Sequence, residues 1–148
     1  MGDHQLERDI VIDASPETVF GYLTDPVKHT EWEGTEVELD PTPGGVYRVL
    51  MAGEYEAAGE FVEVVPNEKV VVTFGWNMDD NPIRPGSTRV EWTLQPEGDK
   101  TRLRVRHTGL PDEAAVEAHT HGWDHYMARL AIVAAGGDAG PDTGPAGS

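Results

Sequence analysis

The sequence predicts an α+β domain in which a curved antiparallel sheet of about seven strands is covered by one long C-terminal helix, with two short helices between the first two strands. Three observations predict it. Between Val46 and His107 five segments alternate apolar and polar residues across short turns, the pattern of a meander with one wet and one covered face. From Asp112 to Ala135 the apolar residues recur at helical spacing instead. Before Val46 the chain holds one alternating strand followed by two proline-marked helix starts.

The elements follow in order. Leu6, Ile10 and Ile12 share one parity and Glu7, Asp9 and Asp13 the other, so Leu6–Asp13 reads as a half-buried strand. Ser15 can cap the next helix. Pro16 suits its first position, where a backbone N–H would lack a partner anyway, and Val19, Phe20 and Leu23 form its apolar stripe. Asp25-Pro26 begins a second short helix ending near Trp32. Val46–Met51 and Glu56–Val65 flank a turn at Gly53-Glu54, and Lys69–Trp76, Thr88–Gln95 and Thr101–His107 follow. In the last strand Leu103, Val105 and His107 face one way and Arg102, Arg104 and Arg106 the other. Asp112 can cap the final helix, whose Val116, His119, Thr120, Trp123, Met127, Leu130 and Val133 or Ala134 recur until Gly136 stops the run. A helix of about 24 residues is roughly 36 Å long, enough to cross the sheet.

Composition sets further bounds. The 148 residues suit one domain, residues 1–135. Residues 136–148, with five Gly, two Pro and no large apolar side chain, are expected to be a disordered tail. The formal net charge of −16, from 27 acids against 11 Lys and Arg, argues against nucleic-acid binding. The absence of cysteine excludes disulfides, thiolate catalysis and cysteine-ligated metal. The longest apolar runs, Val70–Val72 and Ala131–Ala135, are too short for membrane insertion, and Met1–Asp9 lacks the features of a signal peptide, so a cytoplasmic protein is expected. The charge is uneven: Met1–Glu68 holds 16 acids and 3 bases. The acids Glu31, Glu33, Glu36, Glu38 and Asp40 around Trp32 read as a solvated rim, and as the surface a protein partner would use.

Candidate site residues are the large or polar side chains on inward faces: Tyr47, Met51, Trp76, Trp92 and His107 on strands, and His119, Trp123 and Met127 at i, i+4 and i+8 on the last helix. Aromatics with a polar edge and a few donors are what an apolar ligand pocket needs, although the same residues also fill cores. His119 and His107 are the candidate acid/base groups. His121, His125 and Glu117 share a helix face but show no His-Glu-x-x-His pattern, and read as a solvated polar face. No metal or cofactor is expected, and there is no nucleophile elbow or phosphate loop.

Several segments carry a resemblance: Ile12-Asp-Ala-Ser-Pro-Glu-Thr-Val-Phe20, Leu23-Thr-Asp-Pro26, Trp32, Pro43-Gly-Gly-Val-Tyr47, Gly59-Glu-Phe-Val-Glu-Val-Val-Pro66, Val72-Thr-Phe-Gly-Trp76, His107-Thr-Gly-Leu110 and His121-Gly-Trp123. In this order and spacing they resemble the SRPBCC, or START/Bet v 1-like, superfamily, in the branch related to the C-terminal domain of the activator of Hsp90 ATPase. The resemblance implies a helix-grip fold, a sheet wrapped on the C-terminal helix around a cavity for lipids, sterols or polyketides. It also implies that the last strand lies beside the first, so that the Arg102/Arg104/Arg106 stripe would face Glu7, Asp9 and Asp13. The function expected from it is binding of an apolar or aromatic small molecule, lipid- or polyketide-like, rather than catalysis. The alternatives are an aromatase/cyclase-like enzyme using His119 or His107, a protein-interaction domain like the Hsp90 activator or a stress-related binder, and a START-like protein that sequesters an antibiotic.

Overall fold

A computed structural model describes residues 4–144. In chain order it contains β1 (His4–Ile12), α1 (Pro16–Thr24), α2 (Pro26–His29), β2 (Glu36–Leu39), β3 (Val46–Met51), β4 (Tyr55–Val65), β5 (Lys69–Trp76), β6 (Thr88–Glu97), β7 (Lys100–Leu110) and α3 (Glu113–Ala134). The strands form one antiparallel sheet in the order β1-β7-β6-β5-β4-β3-β2. From β2 to β7 it is a meander of sequence neighbours, and β1 closes it by pairing with β7. This is the expected α+β, helix-grip architecture.

The helix starts follow the sequence logic. The Ser15 hydroxyl accepts from the Thr18 N–H, one Asp25 carboxylate oxygen accepts from the N–H groups of Val27 and Lys28, and Asp112 accepts from that of Ala115. Two elements differ from expectation. α2 ends at His29 rather than near Trp32, because the chain tightens there and both Trp32 and Glu33 donate their N–H to the His29 carbonyl. β2 is a strand that the alternation pattern does not announce. Its four residues carry only Val37 and Leu39 as apolar members, and pairing with β3 creates it, in the register Val37↔Val49 and Leu39↔Tyr47.

The β1/β7 register sets Glu7 opposite Arg106 and Asp9 opposite Arg104. Arg102 reaches diagonally to Asp9 at 2.7 Å and also engages Glu97, whereas the partner of Arg106 is Gln5. These exposed contacts fix register more than they stabilise. The covered face of the sheet and α3 enclose the core, in which Ile12, Val72, Leu103, Val105 and Leu130 are fully buried. Gly75 sets the path of the loop after β5. A Cβ at this position would collide with the Arg84 carbonyl. Only glycine lets the loop fold back so closely, with the Trp76 N–H donating to the Ile83 carbonyl at 2.8 Å.

The segment after α3, expected from composition to be a tail, makes several contacts through residues 139–144; residues 145–148 lie outside the described residues. Arg129, buried on α3, donates to the carbonyls of Trp32, Ala139 and Gly140 at 2.8–2.9 Å. Asp142 is buried too. Its carboxylate accepts from the N–H groups of Gly34 (2.9 Å), Ala52 (3.2 Å) and Gly144 (3.0 Å) and from the Tyr126 hydroxyl (2.9 Å). Two buried charges of opposite sign thus hold a strap that has almost no apolar surface to bury. Asp142→Ala is expected to lower stability by about 1–3 kcal/mol, since it leaves buried donors unpaired. It should also open Gly136–Gly144 to limited proteolysis, and an unchanged urea midpoint with an unchanged cleavage pattern would contradict this role.

Candidate functional site

A cavity of about 340 Å³, partly open to solvent, lies between the β5 end of the sheet and α3. Phe74 and Trp76 reach it from β5 at i and i+2, and Met51 from the end of β3. On α3 it is faced by Ala118, His119, Gly122, Trp123 and Tyr126, spaced as one side of a helix. The two small residues make the room: a Cβ added at Gly122 would meet nothing within 4 Å. Tyr55 and Asn81, the latter carried by the loop that Gly75 admits, stand at the mouth, and Glu33 adds a carboxylate from the turn after α2.

The polar edges of the wall are tied into two hydrogen-bond chains. In the first, His119 donates Nδ1–H to the Ala115 carbonyl at 2.7 Å, because a carbonyl can only accept; Nε2 therefore accepts the Trp76 indole N–H at 3.1 Å. In the second, Thr88 donates its hydroxyl to the Phe74 carbonyl at 2.7 Å, which makes it the acceptor for His107 Nε2–H at 2.8 Å. His107 Nδ1 in turn accepts the Trp123 indole N–H at 3.2 Å. Both imidazoles are thus neutral with each tautomer fixed by its partners, and neither ring has a nitrogen left over. Electrostatics agree. Burial, reinforced by His119, pushes the His107 pKa down to about 3, and burial lowers that of His119 against the opposing pull of the Ala115 carbonyl.

Of the eight ligand-contact residues expected from sequence, Met51, Trp76, His119 and Trp123 border the cavity. Tyr47, Trp92, His107 and Met127 point inward but are packed behind it. Trp92 lies edge-on to Trp123 at 5.7 Å and Tyr47 edge-on to Phe61 at 5.9 Å. The Tyr47 hydroxyl and the Trp92 indole N–H have no hydrogen-bond partner among the described residues, and burial raises the Tyr47 pKa well above its usual value, with the Glu33 charge adding to it.

The acidic rim needs one correction. Glu31, Glu36, Glu38 and Asp40 are exposed, with Glu38 paired to Arg48 at 3.0 Å. Glu33 is 1% exposed and faces inward, so it cannot belong to a surface that a partner protein touches. Its Oε1 lies 2.8 Å from Nε2 of His29, itself fully buried. The i, i+4 spacing of His29 and Glu33 around Trp32 is the signal in the sequence that could have revealed this. Phe74, two residues before Trp76, and Tyr126, three after Trp123, were findable by the same parity and helical arguments. Among the described residues no three His, Asp or Glu side chains sit close enough to hold a metal ion, and no helix is long and apolar enough to cross a membrane.

Comparison with known proteins places this architecture. No curated protein matches the chain. Among solved structures, an AHSA1-like protein from Rhizobium etli is 40% identical, with a TM-score of 0.72 over 93% of this chain and 86% of the other. DynU16, from the dynemicin biosynthetic locus, gives a TM-score of 0.80 at 22% identity over 95% of this chain and 51% of that one. An Hsp90 activator from Plasmodium falciparum gives 0.70 at 20% identity, over 87% and 94%. At such identities the last two speak for the fold alone. The family model described as "Activator of Hsp90 ATPase homolog 1-like protein" matches residues 13–135. That span runs from the end of β1 through α3 and takes in every segment that borders the cavity, so the chain belongs to the family of Activator of Hsp90 ATPase homolog 1-like proteins.

Proposed function

We propose that this protein is a cytoplasmic binder of a small aromatic or otherwise apolar molecule, which it holds between β5 and α3 without transforming it. The cavity carries the reading. Its wall is built from Phe74, Trp76, Trp123 and Met51, with polar atoms few and fixed, the make-up of a ligand pocket. Its size narrows the ligand: about 340 Å³ is roughly twice the ~150 Å³ known to hold a benzene ring, which suits a bicyclic compound better than a long acyl chain. The full commitment of His107 and His119 to internal partners speaks against the cyclase-like alternative, which needs one of them free to move a proton. Relatives of this fold include both a protein of a biosynthetic locus and a chaperone activator, so the choice rests on the cavity.

The test is direct, since Trp76 and Trp123 report from the wall. Titration with naphthalene-sized aromatics is expected to quench tryptophan fluorescence and raise the thermal midpoint. Saturation at a hundredfold over Kd corresponds to about 2.7 kcal/mol of added stability. Native mass spectrometry of protein from its own host should show a small adduct. A clean apo mass, with no quenching and no shift across such compounds, would overturn the reading.

A further inference from the structure

We propose, building on the binding function above, that the ligand carries a neutral hydroxyl donor, of the phenol or enol class, and that Glu33 receives it deep in the cavity. Among the described residues Glu33 is the one acidic side chain in the wall, and it is almost wholly buried. The turn that carries it is built to hold it. Tyr22, in the last turn of α1, has a carbonyl that lacks a partner within its helix. The Trp32 indole N–H fills it at 2.8 Å and His29 Nδ1 at 3.1 Å. A carbonyl can only accept, so Nδ1 is the donor, and the ring stands fixed against Trp32 with centroids 4.6 Å apart. Its Nε2 is thereby aimed at Glu33 Oε1 at 2.8 Å. One proton lies between these two atoms and the pair as a whole has no net charge, which is how it is accommodated in the interior.

The remaining oxygen, Oε2, makes no hydrogen bond among the described residues. The donors deep in the cavity wall are committed, the Trp76 N–H to His119, the Trp123 N–H to His107 and the Tyr126 hydroxyl to Asp142, and the unpartnered Tyr47 hydroxyl and Trp92 N–H are packed behind that wall. A ligand carbonyl or ether would therefore find no free donor on the deep wall, whereas a ligand hydroxyl finds a carboxylate oxygen already oriented by His29. An anionic ligand would bring no hydrogen to donate to Oε2 and would set its own acceptors against a carboxylate oxygen. A cation would gain little from a pair whose net charge is zero.

Binding of naphthalene, 2-methoxynaphthalene, 2-naphthol and 2-naphthoate, followed by tryptophan fluorescence, tests this. The wild-type protein is expected to bind 2-naphthol about 10-fold or more tightly than naphthalene or the methyl ether, as a charge-assisted hydrogen bond gives, and naphthoate weakest of all. In Glu33→Gln the preference for naphthol over naphthalene, taken as the ratio of the two affinities in that same variant, should shrink to about twofold, and a ratio unchanged from wild type overturns the role of Glu33. His29→Gln tests positioning: loss confined to naphthol supports it, and equal loss for naphthol and naphthalene overturns it. The wild-type series needs no variant to fold. Equal binding of naphthol, naphthalene and ether, or naphthoate binding as tight as naphthol, overturns the hydroxyl inference and leaves the cavity reading standing; binding of none of the four overturns both.

Discussion

Trp123→Ala is expected to be among the most damaging single substitutions in this domain, lowering stability by about 3–5 kcal/mol. Trp123 is 4% exposed, edge-on to Trp92 and tilted against Phe74 at 6.1 Å, so its removal strips contacts from both the sheet and the cavity wall. It also removes the donor that His107 Nδ1 accepts, which leaves a buried acceptor unpaired. The truncation cannot be closed by neighbours, because Ala118 and Gly122 already leave open space on the same side of α3. Ligand affinity should fall with it. Trp123→Phe should cost less, keeping a ring against Trp92 while losing the hydrogen bond. Urea unfolding of the three proteins is the check, and a loss under about 1 kcal/mol for Trp123→Ala would mean that the residue packs too loosely to form a wall.

The same residue shows what a sequence can and cannot display. Parity in a strand and spacing in a helix say that Tyr47, Met51, Trp76, Trp92, Trp123 and Met127 point inward, and the structure agrees for all six. They do not say what an inward side chain meets. Whether it meets another side chain or empty space depends on residues elsewhere, here the small Ala118 and Gly122 opposite Phe74 and Trp76. Tyr47 and Trp92 stand opposite filled volume, Met51 and Trp76 opposite the cavity.

Glu33 fails to stand out for a different reason. Its neighbours Glu31, Glu36 and Glu38 are ordinary surface acids, and only the tight turn after α2, together with the His29 ring, decides that this one points in. The contacts of the segment after α3 were hidden for a similar reason, since Arg129 and Asp142 reach the backbone of Trp32 and Gly34, far away in sequence. Most strand positions and the helix caps, by contrast, are local properties written in alternation and in Ser15, Asp25 and Asp112, and the family resemblance supplied the placing of β1 beside β7, which is why the fold was readable and the site only half so.

Acid is expected to destabilise the protein through His107 from about pH 6.5 downward. The folded-state pKa is about 3 against an ordinary value of 6.5. Above pH 6.5 the imidazole is neutral in both states and contributes no pH dependence. Below it, the unfolded chain takes up a proton that the folded chain refuses, because a proton on Nδ1 would face the Trp123 N–H and burial disfavours the charge. Stability therefore falls by about 1.4 kcal/mol for each pH unit, approaching roughly 4–5 kcal/mol near pH 3, where the folded ring titrates too and the loss levels off. His119 and His125, whose pKa values burial also lowers, act in the same direction. Glu56, whose pKa the hydrogen bond from Asn77 lowers, stabilises above its ordinary value of 4.5 and withdraws that support only at lower pH, so the interval from about pH 6.5 to pH 5 isolates the histidines. His107→Gln keeps a donor for Thr88 and an acceptor for Trp123 without a titrating ring. It should flatten the dependence of the unfolding free energy by about one proton's worth in that interval. A wild-type urea midpoint that stays constant from about pH 6.5 to 5 would refute the buried neutral state. A midpoint that falls equally in His107→Gln would assign the proton to another group. Over the same interval the loss of about 2 kcal/mol leaves a domain of ordinary stability folded, so ligand affinity should hold while the urea midpoint falls.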